Sequence, residues 1–277
     1  LTLFSVNLSR SALTPAIDGE FSGIATQNGL MVQAIIDDAI HTGKNLRNYL
    51  QDAYGNYDEM TEEEKRTRKN SKVFNTDIQL DSYNIENYIL NTAWSVIKNN
   101  PDICAVGTLF EPGAFDSAIR EYSIYVSAED AKNKKAGSMG PYSEWSNEEF
   151  YKLAKDTKRT TISKPYKYGD ITMCTVSTPI IHNERVIGVV VADINVENFS
   201  KIKTTDDKYE TMFVSILTGD NIFVYDSEST DFVGVDHSTL IPADEFEEIT
   251  AEQAKGQPFN VRSEKDDGTK LNRYYYP

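Results

Sequence analysis

Val186-Ile187-Gly188-Val189-Val190-Val191-Ala192-Asp193-Ile194 is an almost unbroken apolar run with a single acid near its end. A short run of this kind, without helical periodicity, reads as a strand buried on both faces at the centre of a sheet. Upstream, Ile171-Thr172-Met173-Cys174-Thr175-Val176-Ser177 alternates as a strand, and Pro179-Ile180-Ile181 continues it. His182-Asn183-Glu184-Arg185, between the two, looks like a hairpin turn. The pair predicts an antiparallel centre for the fold.

The residues before this hairpin predict a helix that packs on it. Ser146 stands ahead of Glu148 and Glu149 in Glu144-Trp145-Ser146-Asn147-Glu148-Glu149-Phe150-Tyr151, which reads as a helix start. The basic run Lys155 to Arg159 suits the opposite end, where the helix dipole favours positive charge. In Ser163-Lys164-Pro165-Tyr166 the proline biases Lys164 toward extended geometry.

The stretch from Glu144 to Phe199 resembles the double Cache family of extracytoplasmic sensor domains. The likeness is carried by Phe150-Tyr151, Pro165-Tyr166, Thr178-Pro179-Ile180 and Gly188 to Ile194, in that order and spacing. It extends more faintly from about Phe21 to the end of the chain. The resemblance implies an α+β fold, with a long N-terminal helix and two PAS-like antiparallel-sheet modules, one membrane-distal and one membrane-proximal. It also implies the ligand-binding ectodomain of a transmembrane receptor: a chemoreceptor, sensor histidine kinase or diguanylate cyclase. Such a domain lies outside the cell or in the periplasm and meets the membrane only through flanking spans. Composition and periodicity alone indicate an α/β chain of sensor size.

Elsewhere the pattern is helical at first. Leu1 to Asp18 has no period and is expected to be extended or frayed. From Glu20 to about Tyr54, residues Ile24, Met31, Ile35, Ala39, Leu46 and Leu50 recur at helical spacing, weakened locally by Gly23, Gly29 and Gly43. Thr61-Glu62-Glu63-Glu64 has the form of a capping box, and Tyr83 to Asn99 is a second amphipathic helix stopped by Asn100-Pro101. Ile103 to Phe110 and Glu121 to Ser127 read as strands, and Asp130 to Gly140 as a loop. A polar linker, Thr204 to Lys208, precedes a second cycle: strands at 212–217 and 222–225 around Gly219-Asp220-Asn221, an acidic helix over 242–254, then strands at 259–261 and 271–276 around Asp266-Asp267-Gly268. The expected division is 1–80 as helical spine and connecting loop, 81–203 as the distal ligand-binding module and 204–277 as the proximal one.

Composition narrows the function. The chain has 277 residues and a net charge of −15, from 28 basic and 43 acidic residues. A surface that negative repels phosphate backbones and argues against a nucleic-acid partner. No run of ~18 apolar residues is present to span a bilayer, and Leu1 to Leu8 is too short and lacks the basic leader of a signal peptide. Cys104 and Cys174 lie in apolar strand patterns and read as buried thiols, with a single disulfide as the alternative. The histidines, His41, His182 and His237, are far apart, and neither a metal nor a cofactor is expected. None of the familiar nucleophile, phosphate-loop or zinc-protease motifs occurs, so no enzymatic activity is expected. A secreted α/β hydrolase or adhesin is the alternative to the sensor.

Asp193 is the leading candidate for chemistry, because a carboxylate inside an apolar strand is costly to bury without a cation or several donors. The resemblance implies that it receives the ammonium group of an amino-acid or amine ligand. The structural alternative is a strand-end acid that caps the next turn through Asn195. Tyr151 and Tyr166 match family positions that line the distal pocket, and Trp145, Tyr142 and Tyr168 cluster near them, as an aromatic cage would require. Ser177 and Thr175 could turn hydroxyls inward from their strand. One departure stands out: where amino-acid-binding members place a carboxylate-gripping Arg, this chain has Glu148. Lys167, Lys152 or Arg120 would have to replace it, or the ligand carries no carboxylate. The long helix also offers a surface on which two copies could pair.

Overall fold

A computed structural model describes residues 2–55, 60–205, 207, 209, 211–264, 268 and 270–277, with side chains from residue 17 onward. The chain divides into two compact units, Ile35–Asn198 and a second formed by Leu1–Ala34 with Phe199–Pro277. Helix α1 (Thr2–Gly55) contributes residues to both. It begins well before Glu20, so the segment expected to be extended is helical.

In the unit Ile35–Asn198, α1 is followed by α2 (Glu62–Arg66), β1 (Arg68–Asn70), β2 (Asp77–Gln79) and α3 (Leu80–Asn99). The capping box expected at Thr61 is formed: its hydroxyl accepts from the Glu64 amide, and the Glu64 carboxylate reaches back. Next come β3 (Ile103–Phe110), β4 (Ser123–Ser127), α4 (Ala128–Lys132), α5 (Tyr142–Trp145) and α6 (Glu149–Thr157). The expected loop after Asp130 thus opens with a helix, nucleated by a second capping box between Ser127 and Asp130. Ser146 does not cap α6; that position is Glu148, which makes no side-chain cap bond. The unit ends with β5 (Thr161–Ile162), β6 (Tyr166–Tyr168), β7 (Ile171–His182) and β8 (Arg185–Asn195).

Strands β3 to β8 form one antiparallel sheet in the order β4-β3-β8-β7-β5, with β6 also pairing to β7, while β1 and β2 pair separately. The Val186–Ile194 run is therefore central, and its residues from Gly188 to Ile194 are buried. The hairpin turn closes with Asn183 and Glu184 both in the left-handed region, at φ 48° and 64°. That pairing of angles twists in the sense that antiparallel strands require.

One sheet face, carrying Val106, Phe110, Val176, Ile180, Val190 and Ala192, packs with Ala39, Leu46 and Leu50 of α1 and Ile85, Ile89 and Ala93 of α3, all buried. Each such aliphatic side chain contributes ~1.5–3 kcal/mol by leaving water. Gly43 weakens α1 as a helix, yet it permits this contact: a Cβ there would sit 2.5 Å from the Thr178 hydroxyl. The other face carries Leu109, Val189 and Val191 beneath Trp145, Phe150, Tyr151 and Ala154 of α5 and α6. Cys104 and Cys174 are free thiols.

The second unit holds β9 (Ser215–Leu217), β10 (Phe223–Asp226), α7 (Ala243–Gln253), β11 (Phe259–Glu264) and β12 (Lys270–Tyr275). Its strands pair as two separate antiparallel ladders, β9 with β10 and β11 with β12. Within this unit Asn28 bonds both backbone groups of Lys203, and Phe21 stacks on Tyr274 at 5.5 Å. The Asp266-Asp267 part of the expected turn, and part of the Thr204 to Lys208 linker, lie outside the described residues. Among the described residues no helix is long and apolar enough to cross a membrane.

Candidate functional site

The α5–α6 face of the large sheet brings together the polar residues that an apolar core would otherwise exclude. Antiparallel register sets Thr175 of β7 and Ala105 of β3 on either side of Asp193. Ser177 lies opposite Val191, one pleat along on the same face. On the far side of β3, Gly107 faces Tyr125 of β4, and the glycine leaves the tyrosine room to lie across the strand.

Asp193 is 2% exposed. Its two carboxylate oxygens accept hydrogen bonds from the Tyr125 hydroxyl at 2.6 Å and the Thr175 hydroxyl at 2.7 Å. Thr175 in turn shares a 2.6 Å hydrogen bond with the Tyr166 hydroxyl, and its amide donates to Ser163 Oγ at 3.0 Å. The Cys104 thiol donates to the Asp193 carbonyl at 3.3 Å. Burial pushes the Asp193 carboxyl up to about 6, against the opposing pull of the Thr175 and Tyr125 hydroxyls, and none of the groups that set its ionisation is a cation. Burial likewise lifts Tyr125 and Tyr166 above the usual phenol range, with the Asp193 charge adding to it.

Asn195 caps the following turn by itself, accepting from the Glu197 amide at 3.0 Å.

The predicted residues separate into two groups. Thr175, Tyr166 and Tyr168 gather at Asp193, with the Tyr168 ring 6.0 Å from that of Tyr125. Tyr168 is half exposed, so the site meets solvent along β6. Tyr142, Tyr151 and Trp145 pack together farther along the same face, where their polar atoms go elsewhere. The hydroxyls of Tyr151 and Tyr142 both donate to Glu111, at 2.5 and 2.9 Å, and Lys155 pairs with that carboxylate at 2.8 Å. The Trp145 indole N–H donates to the Gly140 carbonyl at 3.3 Å. Phe150 bridges the groups by stacking on Tyr166, with ring centroids 5.6 Å apart. Ser177 is fully buried, and its hydroxyl has no hydrogen-bond partner.

Tyr125 and Glu111 are the two residues that sequence reasoning does not single out. Tyr125 sits in an alternating strand whose pairing register alone brings it to Asp193. Glu111 follows a strand end in what reads as an ordinary turn.

Residues 85–201 match the family model for the first PDC sensor domain of methyl-accepting chemotaxis protein-like proteins. The periplasmic sensory domain of the Campylobacter jejuni chemoreceptor Tlp1 has a similar structure, with TM-score 0.65 and 14% identity, over 94% of this chain and 89% of that one. The extracellular domain of mmHK1S-Z3, named as a candidate histidine kinase, is also similar, with TM-score 0.65 and 14% identity over 96% and 89% of the two chains. So is the ligand-binding domain of C. jejuni Tlp3, solved with L-valine, with TM-score 0.58 and 12% identity over 96% and 90%. No curated protein matches the sequence. The α+β architecture, with its long N-terminal helix and antiparallel modules, is the fold of these periplasmic and extracellular sensor domains, and residues 85–201 are similar to the first PDC sensor domain of chemotaxis protein-like receptors.

Proposed function

We propose that the unit Ile35–Asn198 is the membrane-distal, ligand-binding module of an extracytoplasmic receptor domain, and that it takes a small ammonium-bearing metabolite at Asp193. The observation that carries this reading is an acid 2% exposed, held by two neutral hydroxyls and, among the described residues, with no cation setting its ionisation. An ionised carboxylate in such surroundings is penalised by several kcal/mol, and a positive ligand group would lift that penalty. The rings of Tyr125, Tyr166 and Tyr168 supply faces that attract a cation on its way in. Valine in the Tlp3 domain is an ammonium compound of the right size, which supports the ligand class.

The module binds and carries out no reaction. Ligand would enter along β6, parting Tyr166 from Phe150, and would draw β6 and α6 onto the sheet once bound. Stabilising one arrangement of that segment over another is a population shift, and flanking membrane helices would carry it to a cytoplasmic output.

The test is a thermal-shift screen of the chain against amino acids and amines at neutral pH. A ligand at ~100 times its dissociation constant adds about 2.7 kcal/mol to stability. The shift should be lost in Asp193→Ala; an undiminished shift in that variant places the ligand elsewhere.

A further inference from the structure

We infer that His237 is an acid-sensitive joint: it ties the β9–β10 hairpin of the second unit to α7 and the β11–β12 ladder, and its protonation loosens that tie. The inference does not depend on Asp193. The two ladders share no strand pairing, so what joins them is side-chain packing. His237 stands where they meet. Its amide donates to the Asn221 carbonyl at 3.0 Å, just ahead of β10, and Asp236 before it bridges to Ile222. Its ring meets that of Phe223 in β10 at right angles, with centroids 5.4 Å apart, and that of Phe246 in α7 at a steep angle and 6.3 Å. Arg273 of β12 lies near enough to act on the ring's charge, and is itself bound to Glu245 of α7 and, at 2.9 Å, to Ser263 of β11. A 3.4 Å hydrogen bond from Gln253 of α7 to the Gly219 carbonyl is exposed to solvent and adds little.

The joint suits a neutral ring. His237 is 5% exposed, and its Nδ1 has no hydrogen-bond partner. With the proton on Nε2, Nδ1 is an unpaired acceptor; the imidazolium would make it an unpaired, charged donor. The charged groups that act on the ring come from three elements: Arg273 from β12, Glu245 from α7 and Asp236 from its own turn. Burial and Arg273 hold the imidazole below its ordinary 6.5, against the pull of Glu245 and Asp236. Both acids are already engaged, Glu245 with Arg273 and Asp236 with the Ser238 amide at 2.9 Å. The Tyr275 hydroxyl, influenced by the same Arg273 and Glu245, is likewise buried and unpartnered. The junction is thus packed without being closed by hydrogen bonds.

An unfolded chain takes up the histidine proton first. The hold that His237 exerts is therefore complete above about pH 6.5 and shrinks as the pH falls below that value toward the depressed one of the buried ring. In the extracytoplasmic setting proposed above, the joint would meet a pH that the cytoplasm does not buffer.

Hydrogen exchange of the 277-residue chain, read by mass spectrometry at about pH 7.5 and about pH 5 and corrected for the intrinsic pH dependence of amide exchange, tests this. Peptides covering Phe223–Asp226, Ala243–Gln253 and Lys270–Tyr275 should open more often at the lower pH, by several-fold and by no more than about 30-fold. That ceiling is the ratio of charged to neutral imidazole at about pH 5 for a ring that titrates at about 6.5. In His237→Phe, which keeps an aromatic ring there and has nothing to titrate, the increase should vanish. Exchange that is alike at the two pH values in the native chain, or an increase that persists undiminished in His237→Phe, overturns the inference. If that variant does not fold, the NMR titration of the His237 ring in the native chain decides. A midpoint below the ordinary 6.5 supports the joint, and one at or above it overturns it.

Discussion

Replacing Asp193 with Asn removes a charge and almost no volume, so the structure sets the size of the effect. Burial raises the carboxyl to about 6 from an ordinary 3.8. The folded module therefore keeps a proton that the unfolded chain has already released. Between those two values folding takes up a proton, and the contribution of this group to stability falls as pH rises through the window. The full difference is ~3 kcal/mol at ~1.4 kcal/mol per pH unit. Of that, on the order of 1 kcal/mol falls between about pH 5 and about pH 7.5. The Asp193→Asn variant has nothing to titrate there, so it should gain that amount relative to the native chain over the same interval. Urea denaturation followed by tryptophan fluorescence measures it cleanly, since the two tryptophans, Trp94 and Trp145, both lie in the unit Ile35–Asn198. Taking the difference between the two proteins cancels the titration of the other carboxylates. A stability difference that stays flat from about pH 5 to about pH 7.5 would refute the reasoning, because it would mean that the acid is already compensated in the folded state.

Four further outcomes are expected. Because only the ionised acid attracts an ammonium group, amine affinity should rise with pH through about 6 and level off above about 7. Tyr125→Phe removes one of the two donors to that acid, so it should weaken amine binding several-fold at neutral pH and move the midpoint of the profile upward; calorimetry at a series of pH values checks both, and an unmoved midpoint contradicts the role given to Tyr125. Glu86→Ala strands the buried hydroxyls of Ser71 and Tyr122 and the Lys72 amide, and should cost ~2–4 kcal/mol in denaturant unfolding; a loss below ~1 kcal/mol would mean that those groups find other partners. Burial pushes the thiols of Cys104 and Cys174 up to about 12, so neither should be alkylated by iodoacetamide at about pH 8 in the native protein, whereas both should react in urea.

The features legible in the sequence are those decided by neighbours along the chain. The Val186–Ile194 run, the Asn183-Glu184 turn, the Thr61 capping box and the spacing of Ile35, Ala39, Leu46 and Leu50 each depend on residues within a few positions, and each appears in the structure as expected. The site depends on contacts that sequence spacing does not encode. Tyr125 reaches Asp193 across 68 positions because β3 pairs with both β4 and β8 in one particular register. A shift of one residue would have turned it to the other face. Tyr151 and Tyr142 were legible as aromatics of this face but not as partners of Glu111, since a turn residue carries no mark of the side chains that fold over it. Gly43 reads as a helix weakness until the sheet is in place, when it becomes the point of closest approach. The helical start of the chain, before Glu20, has no apolar period and offered no local sign of helix.

The buried acids differ in what holds them, and that difference favours Asp193 for the proposed binding role. Among the described residues Glu86, Asp116, Asp193 and Asp226 are the buried carboxylates. Glu86 accepts from the Lys72 amide at 2.6 Å, Asp116 from the amides of Gln79 and Ala118 at 2.9 and 2.8 Å, and Asp226 from those of Glu228 and Ser229 at 2.9 and 3.1 Å. Each of these holds a loop by its backbone, and none can take a new partner without releasing that loop. The carboxylate of Asp193 is held by side-chain hydroxyls alone, and a hydroxyl re-aims by rotation about one bond. An incoming ammonium group can therefore join or replace those donors while the sheet stays intact. The same rotation would make the proposed site responsive: Tyr125 and Thr175 belong to β4 and β7, so a change at the carboxylate would reach β7 on one side of β8 and β4, beyond β3, on the other. A fixed backbone cradle would hold the acid more firmly and leave no donor free to turn toward a ligand.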